Sequence, residues 1–167
     1  MSDYETNVDV DGDGHYDDVN YSENADGSVT ITADQNNDGV IDFVAHDYNH
    51  DGIVDDATYD DDYDGDADTY WKDTTGDGIL DRAAGDTNDD DTVDWTGTDT
   101  NQDGTIDHAV VDTNYDGKAD TYIADTNYDG QVDYASTDTD GDGYTDTAVA
   151  DTNYDGVPDT AATTRTS

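Results

Sequence analysis

Asp112-Thr-Asn-Tyr-Asp-Gly-Lys-Ala-Asp120-Thr-Tyr-Ile-Ala124 runs without a break into Asp125-Thr-Asn-Tyr-Asp-Gly-Gln-Val-Asp133-Tyr-Ala-Ser-Thr137, and the opening hexapeptide returns at Asp151. The spacing is 13 residues or a multiple of it, and the register carries outward over most of the 167-residue chain. A short fixed period means that one small unit is copied and that neighbouring copies bury each other's apolar groups. Twelve units begin at Asp9, Ser22, Asp34, Asp47, Asp60, Asp73, Asp86, Asp99, Asp112, Asp125, Asp138 and Asp151, the one at Ser22 being a residue short. The expected organisation is an N-terminal extension over 1–8, tandem units over 9–163 and a tail over 164–167.

Composition narrows the chemistry. Only 31% of the residues are hydrophobic, so a conventional core is not expected. The 46 acidic residues face only Lys72, Arg82, Lys118 and Arg165, for a formal charge of −42. All the acids except Glu5 and Glu23 are Asp. Solvated helix faces use Glu at least as freely, whereas Asp suits turns and nearby metals. Thirty-seven of the Asp residues fall in the first, third, fifth or ninth column of the unit, a register that a disordered acidic tail does not have. Such a charge repels nucleic acid and anionic lipid and makes cations the natural partners. There is no cysteine for a disulfide or thiolate site, and no apolar run long enough to span a membrane. Met1 to Asn7 lacks the basic and apolar regions of a signal peptide.

The columns spell D-x-[DN]-x-D-G-x-x-D. Side chains one, three and five of such a loop converge, the seventh residue offers a carbonyl, and Gly at six permits the sharp turn. Hard oxygen ligands in this number suit Ca²⁺ better than Mg²⁺, which demands tighter octahedral geometry. The candidate ligands are Asp9, Asp11, Asp13 and Asp17 in the first loop, followed by Asp34, Asn36, Asp38 and Asp42. Next come Asp47, Asn49, Asp51 and Asp55, then Asp60, Asp62, Asp64 and Asp68. Asp73, Asp77 and Asp81 form an incomplete set with Thr75 in the third column, and Asp86, Asn88, Asp90 and Asp94 form one with Asp91 in place of Gly. The remaining sets are Asp99, Asn101, Asp103 and Asp107; Asp112, Asn114, Asp116 and Asp120; Asp125, Asn127, Asp129 and Asp133; Asp138, Asp140, Asp142 and Asp146; and Asp151, Asn153, Asp155 and Asp159. In the unit from Ser22, Ser22 and Thr30 remove two carboxylates. About one calcium ion per complete unit is expected, with modest affinity and cooperative filling.

Loops such as Asp112 to Asp120 resemble the calcium loops of integrin-type and related bacterial propeller repeats, and those of thrombospondin type 3 repeats. The resemblance covers the loops alone. Propellers separate such loops by a blade of strands, and the type 3 repeats carry cysteines that are absent here. The contiguous calcium loops of RTX-type bacterial β-solenoids are the nearer architectural analogy, although their Gly-rich nonapeptide is missing. The twelfth column, with Trp71, Val110 and Ile123, lacks the bidentate Glu of an EF-hand.

Segments after the ninth column, such as Phe43-Val44-Ala45 and Thr121-Tyr122-Ile123, are β-branched and aromatic. The expected fold is therefore all-β: a calcium-stabilised repeat solenoid of about twelve units with short strands stacked loop above loop, one or two units per coil. The alternative is a calcium-cored rod with little regular secondary structure or with single helical turns. Ile41, Val54, Leu80, Val93, Ile106 and Val132 in the eighth column would point inward, with Ala83, Ala109, Ala135 and Ala148 filling the eleventh. Like-charged loops need metal to hold together, so the calcium-free chain is expected to be largely disordered.

The expected function is a non-catalytic, calcium-binding structural repeat forming a rigid rod, extended by end-to-end or lateral self-association into filaments. Two alternatives use the same scaffold: a calcium buffer, or a binding surface for ice or glycan. For the surface, Thr74, Thr87, Thr100, Thr113, Thr126, Thr139 and Thr152 would line up as a ladder, and Tyr63, Tyr115, Tyr128 and Tyr154 as a stripe. His46 and His50 straddle the start of a loop, a poor arrangement for zinc, and no serine has matched His and Asp partners. Modest calcium sites fill at millimolar extracellular levels, so an extracellular or cell-surface location is expected.

Overall fold

The computed structural model describes residues 19–163. The extension over 1–8, the ligand set Asp9, Asp11, Asp13 and Asp17, and the tail over 164–167 lie outside the described residues. Twelve strands form among the described residues: β1 (Val19–Glu23), β2 (Val29–Ala33), β3 (Phe43–Asp47), β4 (Asp56–Tyr59), β5 (Thr69–Lys72), β6 (Arg82–Gly85), β7 (Trp95–Thr98), β8 (His108–Val111), β9 (Thr121–Ala124), β10 (Tyr134–Thr137), β11 (Thr147–Ala150) and β12 (Thr160–Thr163). From β3 onward the body of each strand is the tenth to thirteenth column, the β-branched and aromatic stretch. No described residue is helical, so single helical turns do not form there, and no helix is long and apolar enough to cross a membrane.

The chain divides into two units, one ending at Leu80 and one beginning at Asp81. In the first, β1 to β5 pair in sequence order, each antiparallel to the next. In the second, β6 to β12 do the same. Stacked coils would instead set neighbouring strands parallel. Parallel neighbours need a crossover of roughly a dozen residues or more, whereas antiparallel ones need only a short connection. Nine columns of loop per 13-residue unit suffice for a hairpin and not for a crossover.

Consecutive loops of a unit therefore lie at opposite ends of its strands, and loops 26 residues apart lie side by side at the same end. Two backbone bonds repeat this arrangement. The ninth-column N–H closes its own loop, as from Asp107 to the Thr98 carbonyl (2.9 Å) and from Asp133 to Ala124 (2.8 Å). The first-column N–H reaches the neighbouring loop of the same end, as from Asp60 to the Asp42 carbonyl (2.8 Å) and from Asp125 to Asp107 (2.7 Å). Side chains of column seven then overhang the next Gly: a Cβ at Gly78 would meet Ile53 Cγ2 at 3.3 Å, and one at Gly156 would meet Gln131 Oε1 at 3.0 Å.

Antiparallel pairing also doubles the structural period. Gly97 sits between Ala83 and Ala109, and Ala135 between Ile123 and Val149, so column eleven of one unit shares a face with column twelve of the next. The larger core is in the first unit, where Val29, Ile31, Ala33, Phe43, Ala45 and Ala57 are buried and Val54, Tyr59 and Leu80 pack against them. In the second unit the buried apolar residues are Ala83, Ala109 and Ala124. The inward ladder expected of column eight is thus only half realised. Val54, Leu80 and Ile106, spaced 26 residues apart at one end of the strands, are half-buried, but Ile41 and Val93 in the alternate units are exposed, and so is Val132.

The short unit at Ser22 is an ordinary hairpin turn. Asn24 N–H donates to the Ser28 carbonyl (2.8 Å), and Asp26 accepts from the N–H and hydroxyl of Ser28. It joins two five-residue strands, β1 and β2.

Candidate metal centres

Each loop is wound around its own carboxylates. Asp99 accepts the N–H groups of Gln102 (2.7 Å), Asp103 (3.3 Å) and Gly104 (2.8 Å). Asn101 Oδ1 accepts from Asp103 N–H and Asp103 Oδ1 from Thr105 N–H, both at 2.9 Å. Asp107 Oδ2 accepts the N–H groups of Thr100 (2.6 Å) and Asn101 (3.1 Å). The loops from Asp47, Asp125 and Asp151 repeat the first of these sets on His50, Tyr128 and Tyr154 and the Gly that follows each by two. Columns one and nine are largely buried, Asp99 and Asp107 to 1% exposure, while columns three and five stay open to solvent. Burial pushes the carboxyls of Asp73 and Asp151 up, but the N–H groups pointing at them outweigh it and hold both below the usual carboxylate range.

Two columns that carry no ligand in the sequence reading prove structural. The Thr hydroxyl of column two is not one of a row of free hydroxyls on one side. It donates to the ninth-column carboxylate seven residues on: Thr87 to Asp94 (2.7 Å), Thr126 to Asp133 (2.8 Å), Thr152 to Asp159 (2.8 Å), and likewise Thr139 to Asp146. That bond, with the N–H of Thr139, lowers the Asp146 carboxyl. The recurring Thr-to-Asp spacing of seven was the signal in the sequence. Column four is left-handed throughout: Asn37, His50, Tyr63, Gln102, Tyr115, Tyr128 and Tyr154 all lie at φ between 58 and 64. This strained backbone turns the column-four N–H inward toward the first carboxylate. The tyrosines expected to form a stripe therefore mark a backbone requirement of every loop.

Three loops gather three carboxylates with one oxygen of each within 4.8 Å of the others: Asp34, Asp38 and Asp42; Asp60, Asp62 and Asp68; and Asp138, Asp140 and Asp146. In the loops from Asp47, Asp99, Asp112, Asp125 and Asp151, equally complete in sequence, no such group of three forms among the described residues. Their carboxylates accept backbone N–H groups, joined in the loops from Asp99, Asp112, Asp125 and Asp151 by the Thr hydroxyl of column two. The donor sets are all hard oxygen. Asp42 adds an orphan: it is 2% exposed, yet its Oδ1 has no hydrogen-bond partner. A buried carboxylate oxygen without a donor suits a cation, so the residues of this loop fit a calcium ion. In the Asp60 loop, crowding by surrounding protein and the charges of Asp64, Asp68 and Asp60 push the Asp62 carboxyl up.

His46 belongs to a different network. Its Nδ1 lies 2.8 Å from Oδ1 of the buried Asp56, whose Oδ2 accepts the hydroxyls of Tyr48 (2.8 Å) and Tyr70 (3.2 Å). The bond to Asp56 pushes the Tyr48 phenol up to about 12. His46 stacks on Tyr48 with centroids 5.4 Å apart. The cluster ties β3 to β4 and β5. Comparison with protein-family models, curated proteins and solved structures found no significant match. What the geometry defines is an acidic, antiparallel β repeat with clustered carboxylates in its loops.

Proposed function

We propose that the chain is a calcium-binding structural repeat whose loops are stiffened by the metal, without catalytic chemistry of its own. The observation that carries this reading is the convergence of three carboxylate oxygens within 4.8 Å in single loops of a chain with formal charge −42. Bringing like charges this close is unfavourable unless a cation or protons intervene. Each such loop offers Ca²⁺ its first-, third- or fifth-, and ninth-column oxygens. The ion supplies the charge that offsets their repulsion. Self-association and an extracellular or cell-surface setting, where calcium is plentiful, belong to the same proposal.

A second reading is favoured by the hydrogen bonds themselves: with backbone N–H and Thr hydroxyl donors on so many carboxylates, the loops serve as metal-independent turns. Titration of calcium into chelator-treated protein separates the two. Far-ultraviolet circular dichroism and sedimentation are followed together, with magnesium as control. A calcium-specific, cooperative gain of β signal with compaction is the expected result, and larger species would add self-association. An unchanged spectrum with no uptake would leave the metal-independent reading.

A further inference from the structure

We infer that the loop from Asp34 to Asp42 is the seeding site, the one that takes calcium first and makes the first unit form before the second; the inference rests on the calcium reading above. Three observations meet there. Asp42 alone among the described residues buries a side-chain oxygen, Oδ1, that has no partner, and its carboxylate lies with those of Asp34 and Asp38 so that one oxygen of each is within 4.8 Å of the others. The ninth-column carboxylates of the loops from Asp86, Asp99, Asp112, Asp125, Asp138 and Asp151 receive a Thr hydroxyl as well as an N–H. In the Asp34 loop the second column is Gln35, which gives Asp42 only its N–H at 2.7 Å. This loop has the most to gain from a cation.

Its position couples that gain to folding. The loop joins β2 to β3, and Asp42 N–H donates to the carbonyl of Ala33, a residue with 0% exposure at the end of the core strand. Phe43 and Ala45 of the core follow at once. On the other side, the Asp42 carbonyl accepts the N–H of Asp60, the first residue of the neighbouring loop of the same end. That loop holds a carboxylate cluster of its own in Asp60, Asp62 and Asp68. Calcium at Asp42 thus fixes the peptide that aligns the second site. Loops with Thr donors in the second unit are latched without metal and gain less from it.

The two tryptophans allow each unit to be followed alone, since Trp71 lies in β5 and Trp95 in β7. Full-length Trp95→Phe and Trp71→Phe chains are treated with chelator and titrated with calcium by fluorescence, with uptake measured by equilibrium dialysis. The Trp71 signal is expected to respond at calcium roughly tenfold lower than the Trp95 signal, a factor of the size expected for one well-placed charged contact. Asp42→Asn in the Trp95→Phe background is expected to raise the Trp71 midpoint to that of Trp95, and Asp133→Asn, its counterpart in the Asp125 loop, to leave it unchanged. Calcium uptake with coincident midpoints, or equal effects of the two Asn variants, overturns the seeding site and leaves the calcium reading standing. No uptake at all overturns both. Should Asp42→Asn not fold even in saturating calcium, the order of the two tryptophan midpoints in the remaining chains decides.

Discussion

At the scale of single residues, the loops are held by donors aimed at carboxylates, and the sequence announces the acceptors more loudly than the donors. Asp columns one, five and nine stand out by frequency. The Thr of column two stands out only when paired with the Asp seven residues on. Replacing Thr126 by Val removes the hydroxyl that Asp133 accepts at 2.8 Å and is expected to cost about 1 kcal/mol, while Thr126→Ser restores most of it. Thermal unfolding of the two variants in calcium measures the difference. The loops should also register acid. Asp73 and Asp151 have carboxyls held below 3.8 in the folded state, so the unfolded chain takes up their protons first. Their contribution to stability is full above about pH 4 and is lost as pH falls through the lower folded values. Asp62 runs the other way: its raised carboxyl makes protonation favour the folded loop. Denaturant unfolding at stepped pH should show Asp151→Asn flattening the loss of stability below about pH 4. An unaltered acid limb would remove the assigned role of the inward N–H groups.

At the scale of the element, strand positions were legible because columns ten to thirteen concentrate β-branched and aromatic residues. Strand direction was not, because columns averaged over all units erase any alternation between odd and even ones. Column eleven shows it over most of its length: it is Ala at Ala57, Ala83, Ala109, Ala135 and Ala161, 26 residues apart, while the alternate units carry Val44, Tyr70, Thr96 and Tyr122, with Ala148 the exception. Antiparallel neighbours need a two-unit period, as coils of a single unit would not. The Asp and Asn columns fall in the loops between strands, but the three-carboxylate groups were not distinguishable from their neighbours, since Oδ orientation depends on donors that the column pattern does not display. Gly85 and Gly97 belong to this scale too, as strand residues without turn geometry. A Cβ at Gly85 would lie 2.2 Å from Trp95 Nε1, because the indole covers the opposite strand at that register. Gly85→Ala is expected to destabilise by about 2 kcal/mol through overpacking, with Trp95 fluorescence shifting to the red as the ring is displaced. A neutral substitution with unchanged emission would contradict that packing.

At the scale of the whole molecule, each strand in a unit is bonded only to its sequence neighbours, and the face a residue occupies depends on whether its unit is odd or even. Removing residues 112–137, two units, would set Val149 opposite Ala109, where Ile123 stands now, and keep the faces. Removing residues 112–124, one unit, would set Ser136 there instead and exchange the faces of every later strand. The longer deletion is therefore expected to unfold at the higher temperature of the two in calcium, although it discards one more loop and its ligands; the reverse order would exclude the antiparallel register. The same nearest-neighbour bonding decides how either unit would bear a load. Pulled from its two ends, a meander does not shear many ladder bonds at once. It unzips, strand by strand, each step releasing about 45 Å of chain for 13 residues. The rungs that resist are the bonds between same-end loops, such as Asp125 N–H to the Asp107 carbonyl, so any ion seated in those loops acts as a pin in a zipper.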